Sequence, residues 1–277
     1  GMTFEPGSTF KAFTVAAALE DKKVEPDTSF NLAPSIQVAD RVIGESHERG
    51  WVTLDTGGIL AQSSNVGAIM VGQRLGAKRF SQWVNKFGFG QPTGVDLPGE
   101  ERGLITPLEE YSGSSMGNMP IGQGQLVTPL QMVSAYGAIA NGGKLLTPRV
   151  VNSVNGKPTA GADDGERIIS AKTAATVREM LTGVFQPGGT ASEVAIPGYE
   201  LAGKTGTANK IDPATGTYSD SQYVASFVGM APAADPELLI SVVVDEPQGD
   251  IYGGSVAAPA FGKIAAFALP YLRIAPK

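Results

Sequence analysis

A serine and a lysine three residues apart are the first groups in the chain whose types and spacing could do chemistry. Ser8 and Lys11 lie in Glu5-Pro6-Gly7-Ser8-Thr9-Phe10-Lys11. Pro6-Gly7 is a turn signal, and Ser8 follows it at a helix start. Residues 12–20 are Ala-rich and predict a helix. Residues three apart on a helix share a face, which sets a hydroxyl beside an amine, a nucleophile beside a base. The pattern is short, and taken alone it also fits a capping serine followed by a solvated lysine.

Two later stretches decide between these readings. Ser63-Ser64-Asn65 stands at the head of a predicted helix over residues 66–75, which either serine could cap. Lys204-Thr205-Gly206-Thr207 closes a predicted strand over residues 199–207. Ser-x-x-Lys, Ser-x-Asn and Lys-Thr-Gly, in this order, are the signature of penicillin-binding proteins and the related β-lactamases. With these motifs, and with residues 4–11, 122–131 and 202–208 around them, the sequence resembles the transpeptidase domain of class B penicillin-binding proteins of the septal or elongation type. The resemblance covers nearly the whole chain.

Composition narrows the alternatives independently. The chain has 277 residues, enough for one large domain or two lobes sharing a core. It is 42% hydrophobic and 17% charged, as globular chains are. A net charge of -6 offers no basic face to nucleic acid. There is no cysteine, which excludes disulfides and thiolate metal sites. The single histidine, His47, lies in the polar stretch Glu45-Ser46-His47-Glu48-Arg49-Gly50 and reads as a surface residue. A Ser-His-Asp triad would have to use it. A serine enzyme here therefore calls for a lysine base, which agrees with Lys11. No metal or cofactor is implied.

No run of about 18 apolar residues is present, and no signal peptide is expected. Members of the family carry an amino-terminal membrane anchor, a non-catalytic pedestal domain and sheet strands ahead of the serine helix. The resemblance thus implies that residues 1–277 are a transpeptidase catalytic domain truncated at its amino-terminal end, with Gly1 a cloning remnant. It also implies an extracytoplasmic domain whose anchor lies outside this chain.

The elements that must position the motifs follow from periodicity. Residues 22–34 read as loop, 36–43 as a short strand, and 51–55 as the start of a helical region with Thr53 a candidate cap. A helix is predicted over 77–87, with Phe80, Val84 and Phe87 at helical spacing. Residues 88–103 and 116–125 are Gly- and Pro-rich and read as irregular. The Gly-rich 122–124 stretch has neither Gly-Lys-Ser nor a dinucleotide fingerprint, so phosphate binding is excluded. Thr128 caps a helix with Pro129 in its first position, buried through Leu130, Val133, Ala135, Tyr136 and Ile139, and stopped by Asn141-Gly142-Gly143. Residues 145–154 read as strand, Asn155-Gly156 as a hairpin turn, and 158–165 as a polar loop. A helix capped by Ser170 runs to Val184. Strands follow over 223–231 and 238–244, the second read as central from its apolar run, and a helix over 254–269 ends at Pro270. The expected fold is α+β. An antiparallel sheet is flanked by helices, with an α-rich lobe over about 27–140 inserted into a sheet lobe of about 1–26 and 141–277.

The resemblance also implies roles. Ser8 attacks an amide carbonyl and becomes acylated. Lys11 removes its proton and must be neutral to do so, so burial and a second cation, Lys204, are expected to lower its pKa. Ser63 relays a proton to the leaving nitrogen and Asn65 holds the substrate backbone. Lys204 and Thr207 receive the substrate carboxylate. The oxyanion sits between the backbone N–H groups of Ser8 and Thr207. Thr205 supports the strand, and Gly206 leaves room for a ligand lying along it. The implied activity is peptidoglycan D,D-transpeptidation, with stem peptides ending in D-Ala-D-Ala as substrates and β-lactam antibiotics as acylating ligands. In the full-length protein a glycosyltransferase partner is expected. The alternatives are a D,D-carboxypeptidase, which uses the same residues with water as acceptor, a β-lactamase, and a β-lactam sensor domain. Between the second and third motifs there is no Glu-x-x-x-Asn, the deacylating pattern of class A β-lactamases.

Overall fold

Residues Gly7–Phe10 form one 3-10 turn that runs directly into the α-helix Lys11–Glu20 in the computed structural model, which describes residues 2–159, 165–212 and 214–276. Residues 11–18 of this helix are all buried. The helices Asn65–Leu75, Ala77–Lys86 and Ala171–Thr182 pack around it. A helix covered on every side is largely apolar and slim enough to admit its neighbours, which accounts for Ala12, Ala16, Ala17 and Ala18, with Lys11 and Thr14 as its buried polar exceptions.

The sheet has three antiparallel strands, Ala202–Ile211, Tyr218–Ala231 and Leu238–Asp245, with Tyr218–Ala231 in the middle. Alternate side chains of the middle strand enter two cores. Val224, Val228 and Met230 join the core that holds the serine helix. Phe227 and Ala231 join a second core with Ala257, Phe261 and Ala265 of the carboxy-terminal helix Gly253–Tyr271. The result is the expected α+β arrangement, an antiparallel sheet between helical layers.

Several elements differ from their sequence reading. Leu238–Asp245 is an outer strand, not the central one. Its run is apolar because both of its faces are covered. Leu239 and Val243 pack toward the first core, and Leu238, Ile240 and Val242 toward the second. Cover on both faces therefore produces the same strongly apolar run, broken only by Ser241, as a central position. Residues 52–54, expected to begin a helix, form a strand paired with Phe30–Leu32 inside the segment read as loop. The helix that follows, Thr56–Ala61, is capped by Asp55, whose carboxylate accepts from Gly58 N at 2.6 Å. The strand read over 36–43 is a hairpin, Ser35–Val38 against Arg41–Gly44. Of the strand read over 145–154 only Leu145 and residues 153–154 are paired. The polar loop read over 158–165 lies largely outside the described residues.

Helix ends follow the capping rules closely. Thr128 and Gln131 form a reciprocal capping box at Pro129–Ala140. Its buried face is rotated from the expected one: Met132 and Gln131 are buried, while Leu130 and Val133 are half-exposed. This helix, the last of the segment assigned to the α-rich lobe, packs on the outer strand and on Ala171–Thr182. Ser170 accepts from Thr173 N at 3.1 Å. Asn155 and Gly156 both take positive φ, as the hairpin reading requires. Pro270 does not stop the final helix, which continues through Tyr271.

Candidate active site

The serine turn is held from below by the Gly-rich stretch. Gly7 N donates to Gly122 O at 3.1 Å, and Gly124 N donates to the Glu5 carboxylate at 2.9 Å. Phe4 and Val127 exchange backbone hydrogen bonds. A side chain on Gly122 would stand 2.1 Å from Gly7 O, so only glycine lets the two backbones approach. Tyr136 OH donates to Thr9 O, and Thr9 Oγ1 to Pro6 O, both at 2.7 Å. The Gly-rich motif is thus a support for the serine turn.

Lys11 is completely buried at the first position of its helix. Its ammonium nitrogen donates to Ser63 O at 2.6 Å, to Ser63 Oγ at 3.2 Å and to Asn65 Oδ1 at 2.7 Å. Its partners thus all come from the second motif. Ser8 is half-buried, and its hydroxyl makes no hydrogen bond among the described residues, so the direct Ser8–Lys11 bond suggested by their spacing is not formed. Ser63 is in the left-handed region at φ 58°, which costs a non-glycine residue about 1–3 kcal/mol. That conformation turns its carbonyl and hydroxyl together toward Lys11. Ser64 then caps the helix, accepting from Gly67 N at 3.0 Å.

The third motif approaches from the sheet. A Cβ on Gly7 (φ 53°) would stand 2.8 Å from Thr207 O, so the serine turn rests against the strand edge. A Cβ on Gly206 would meet Ser226 Oγ at 2.4 Å, Pro6 O at 2.9 Å and Thr9 Cγ2 at 2.9 Å. The glycine is required by the protein's own packing there, not only by a ligand along the strand. Thr205 is buried and its hydroxyl bonds Thr190 Oγ1 at 2.8 Å. Thr207, half-buried at the strand edge, accepts from Gly253 N at 3.0 Å. Lys204 is wholly buried and, among the described residues, donates only to Thr205 O at 3.2 Å and Thr205 Oγ1 at 3.4 Å.

Burial dominates the electrostatics. It lowers Lys11 to about 7, although the negative charge of Glu45 works the other way. Burial also holds Lys204 well below the ordinary lysine range, and the positive charge of Lys11 adds to the effect. His47 is exposed, hydrogen-bonds Ser46 and rests its ring on Tyr252 at 4.8 Å between centroids.

The structure therefore brings Lys11, Ser63 and Asn65 into one bonded cluster and packs the Lys204–Thr207 strand against the turn that carries Ser8. Sequence reasoning missed three supports: Thr190 behind Thr205, Glu5 beneath the turn, and Glu45 beside Asn65. Glu5 sits three residues from Ser8 in the first motif, and its carboxylate also accepts from Tyr218 OH at 3.1 Å. Glu45 and Thr190 belong to no motif, and only folding brings them close.

The model of the penicillin-binding protein transpeptidase domain matches residues 2–266. The chain belongs to that family. It is 42% identical over 278 residues to the penicillin-binding protein PbpB of Mycolicibacterium smegmatis, covering 96% of this chain and 43% of that one. It is 38% identical to the stage V sporulation protein D of Bacillus subtilis, covering 99% of this chain and 43% of that protein. The chain thus spans less than half the length of these relatives. Penicillin-binding protein 3 of Mycobacterium tuberculosis superposes with a TM-score of 0.92 at 38% identity, over 100% of this chain and 65% of that one. Structures of that protein exist in complex with aztreonam and with ampicillin.

Proposed function

We propose that this chain is the catalytic domain of a peptidoglycan D,D-transpeptidase. The observation that carries the reading is the burial of Lys11 against both functional residues of the second motif, beside a serine turn fixed against the Lys-Thr-Gly strand. Ser8 Oγ attacks the carbonyl carbon of the D-Ala-D-Ala peptide bond, and its proton passes to neutral Lys11. The oxyanion is stabilised by the backbone N–H groups of Ser8 and Thr207. Ser63 passes a proton from Lys11 to the departing nitrogen, the C–N bond breaks, and D-Ala leaves. An amino group of a second stem peptide then attacks the acyl-Ser8 ester. A new amide forms and Ser8 recovers its proton. Asn65 aligns the donor backbone, and Lys204 and Thr207 bind its terminal carboxylate.

A β-lactam enters the same path, but its ring opens without releasing a leaving group, so the acyl-enzyme persists. This reading assigns the domain to the outer side of the membrane, where peptidoglycan lies, on a longer anchored protein that works with a glycosyltransferase. The resemblance to class B proteins supports both points. The test is intact-protein mass after incubation with benzylpenicillin. Wild type is expected to carry one stable penicilloyl group, and Ser8→Ala none. An adduct on both, or on neither, contradicts the assignment of Ser8. An adduct lost within seconds, with hydrolysed drug accumulating, points to a β-lactamase instead.

A further inference from the structure

Beside the second motif lies a carboxylate that no motif includes. Glu45, in the segment between the hairpin and Trp51, has only 6% of its side chain exposed. One oxygen accepts from Asn65 N at 2.6 Å. The other accepts from Ser64 Oγ at 2.6 Å and from Val66 N at 3.4 Å, and is ion-paired to Arg49. Arg49 also donates to Leu32 O and Gly50 O, which ties the pair to the strand Phe30–Leu32. A carboxylate at the first N–H groups of a helix satisfies donors that have no partner within the helix and meets the positive end of its dipole.

The same segment fixes the amide of Asn65. Gly44 O takes Asn65 Nδ2 at 2.9 Å, which leaves Oδ1 facing Lys11 at 2.7 Å. Residues 63–65 are therefore gripped on one side by Gly44 and Glu45 and present their acceptors to Lys11 on the other. Ser63 needs such a grip, because its left-handed backbone is costly unless its surroundings enforce it.

Building on the proposed transpeptidase reading, we propose that Glu45 is a positioning residue for acyl transfer, clamping the Ser63–Asn65 turn so that the three acceptors of Lys11 stand in place before a ligand arrives. Its charge has a second effect. The charged groups facing Lys11 are Glu45 and, from the sheet, Lys204; Arg49 faces Glu45 from its own segment. Glu45 raises the proton affinity of Lys11 against the larger effect of burial. Removing the charge leaves Lys11 neutral at lower pH.

Two substitutions separate position from charge. Glu45→Gln removes the charge, and Glu45→Asp keeps it on a shorter arm. The rate of acylation by benzylpenicillin is followed across pH for each. Both variants should lose about tenfold to a hundredfold at the maximum, the scale of a displacement near 1 Å. The acid limb of the profile should move to lower pH in Glu45→Gln and stay in place in Glu45→Asp. Wild-type rates in both variants would overturn the proposal. So would a uniform fall with an unmoved limb in Glu45→Gln, which is what general loosening of the fold produces. The Lys11 titration by NMR in Glu45→Gln needs no acylation: a lowered midpoint supports the proposal and an unchanged one sinks it. Should wild type itself fail to acylate, the transpeptidase reading falls while this titration still judges Glu45. Should Glu45→Gln fail to fold, the maximal rate of Glu45→Asp decides.

Discussion

Lys11 and Lys204 are both wholly buried, yet their surroundings are opposites. Lys11 has three oxygen acceptors, two of them within 2.7 Å, all on a turn that the rest of the protein grips. Lys204 has two long contacts, both to its own neighbour Thr205. Burial lowers the proton affinity of each, and the charge of Lys11 lowers that of Lys204 further, whereas the shift of Lys11 comes from burial and not from the second cation expected to assist it. Burial lowers both lysines, Lys11 to about 7, while their partners decide how each can be used. An amine held among a serine hydroxyl, a carbonyl and an amide oxygen is oriented for proton transfer. An amine with few protein partners suits an incoming anion.

Substitutions at the two lysines should therefore fail differently. Lys11→Met keeps most of the apolar stem and removes the amine. Acylation by benzylpenicillin should slow by about a hundredfold to ten-thousandfold, the usual worth of a general base. Initial capture of the drug should change little. Lys204→Met should do the reverse, weakening capture of carboxylate-bearing β-lactams by about tenfold to a hundredfold, since a hydrogen bond to a charged group is worth about 1.5–3 kcal/mol. Stopped-flow acylation over a range of drug concentrations separates the two constants. Identical patterns for both lysines would break the contrast.

The smallest effect tests the packing that joins the two regions. Gly206→Ala puts a methyl group against Pro6 O and Thr9, on the serine turn itself. Overpacking of this kind costs about 1–3 kcal/mol, which lowers the melting temperature of a chain this size by several degrees. A melting temperature equal to wild type would show that the strand and the turn are less tightly apposed than described.

The chemistry was more legible in the sequence than the scaffold. Ser8, Lys11, Ser63, Asn65 and residues 204–207 stand out as candidates because each motif is local and three in order are specific, and the fold brings Lys11, Ser63 and Asn65 together beside the turn that carries Ser8. Caps at Thr128 and Ser170 were legible because a cap bonds a backbone N–H only a few residues away. The position of Leu238–Asp245 was not, because an apolar run reports covered faces and is silent on neighbouring strands. Residues 52–54 were misread because their partner, Phe30–Leu32, lies some twenty residues upstream. Glu45 was invisible for a related reason: in a polar turn a carboxylate reads as solvated, and only the fold shows it at a helix N-terminus.

The proposed mechanism requires Lys11 to be neutral near physiological pH in the resting protein. Lysine labelled at its ε-position, with Lys11→Met to assign the signal, would give its titration by NMR. Between the folded midpoint and the ordinary lysine value of 10.5 the folded protein should hold Lys11 unprotonated, so the base is available above about pH 7 and lost as pH falls through it. The expected midpoint is near 7, coincident with the acid limb of acylation. A midpoint close to the ordinary lysine value would contradict that mechanism and remove Lys11 from the role of base.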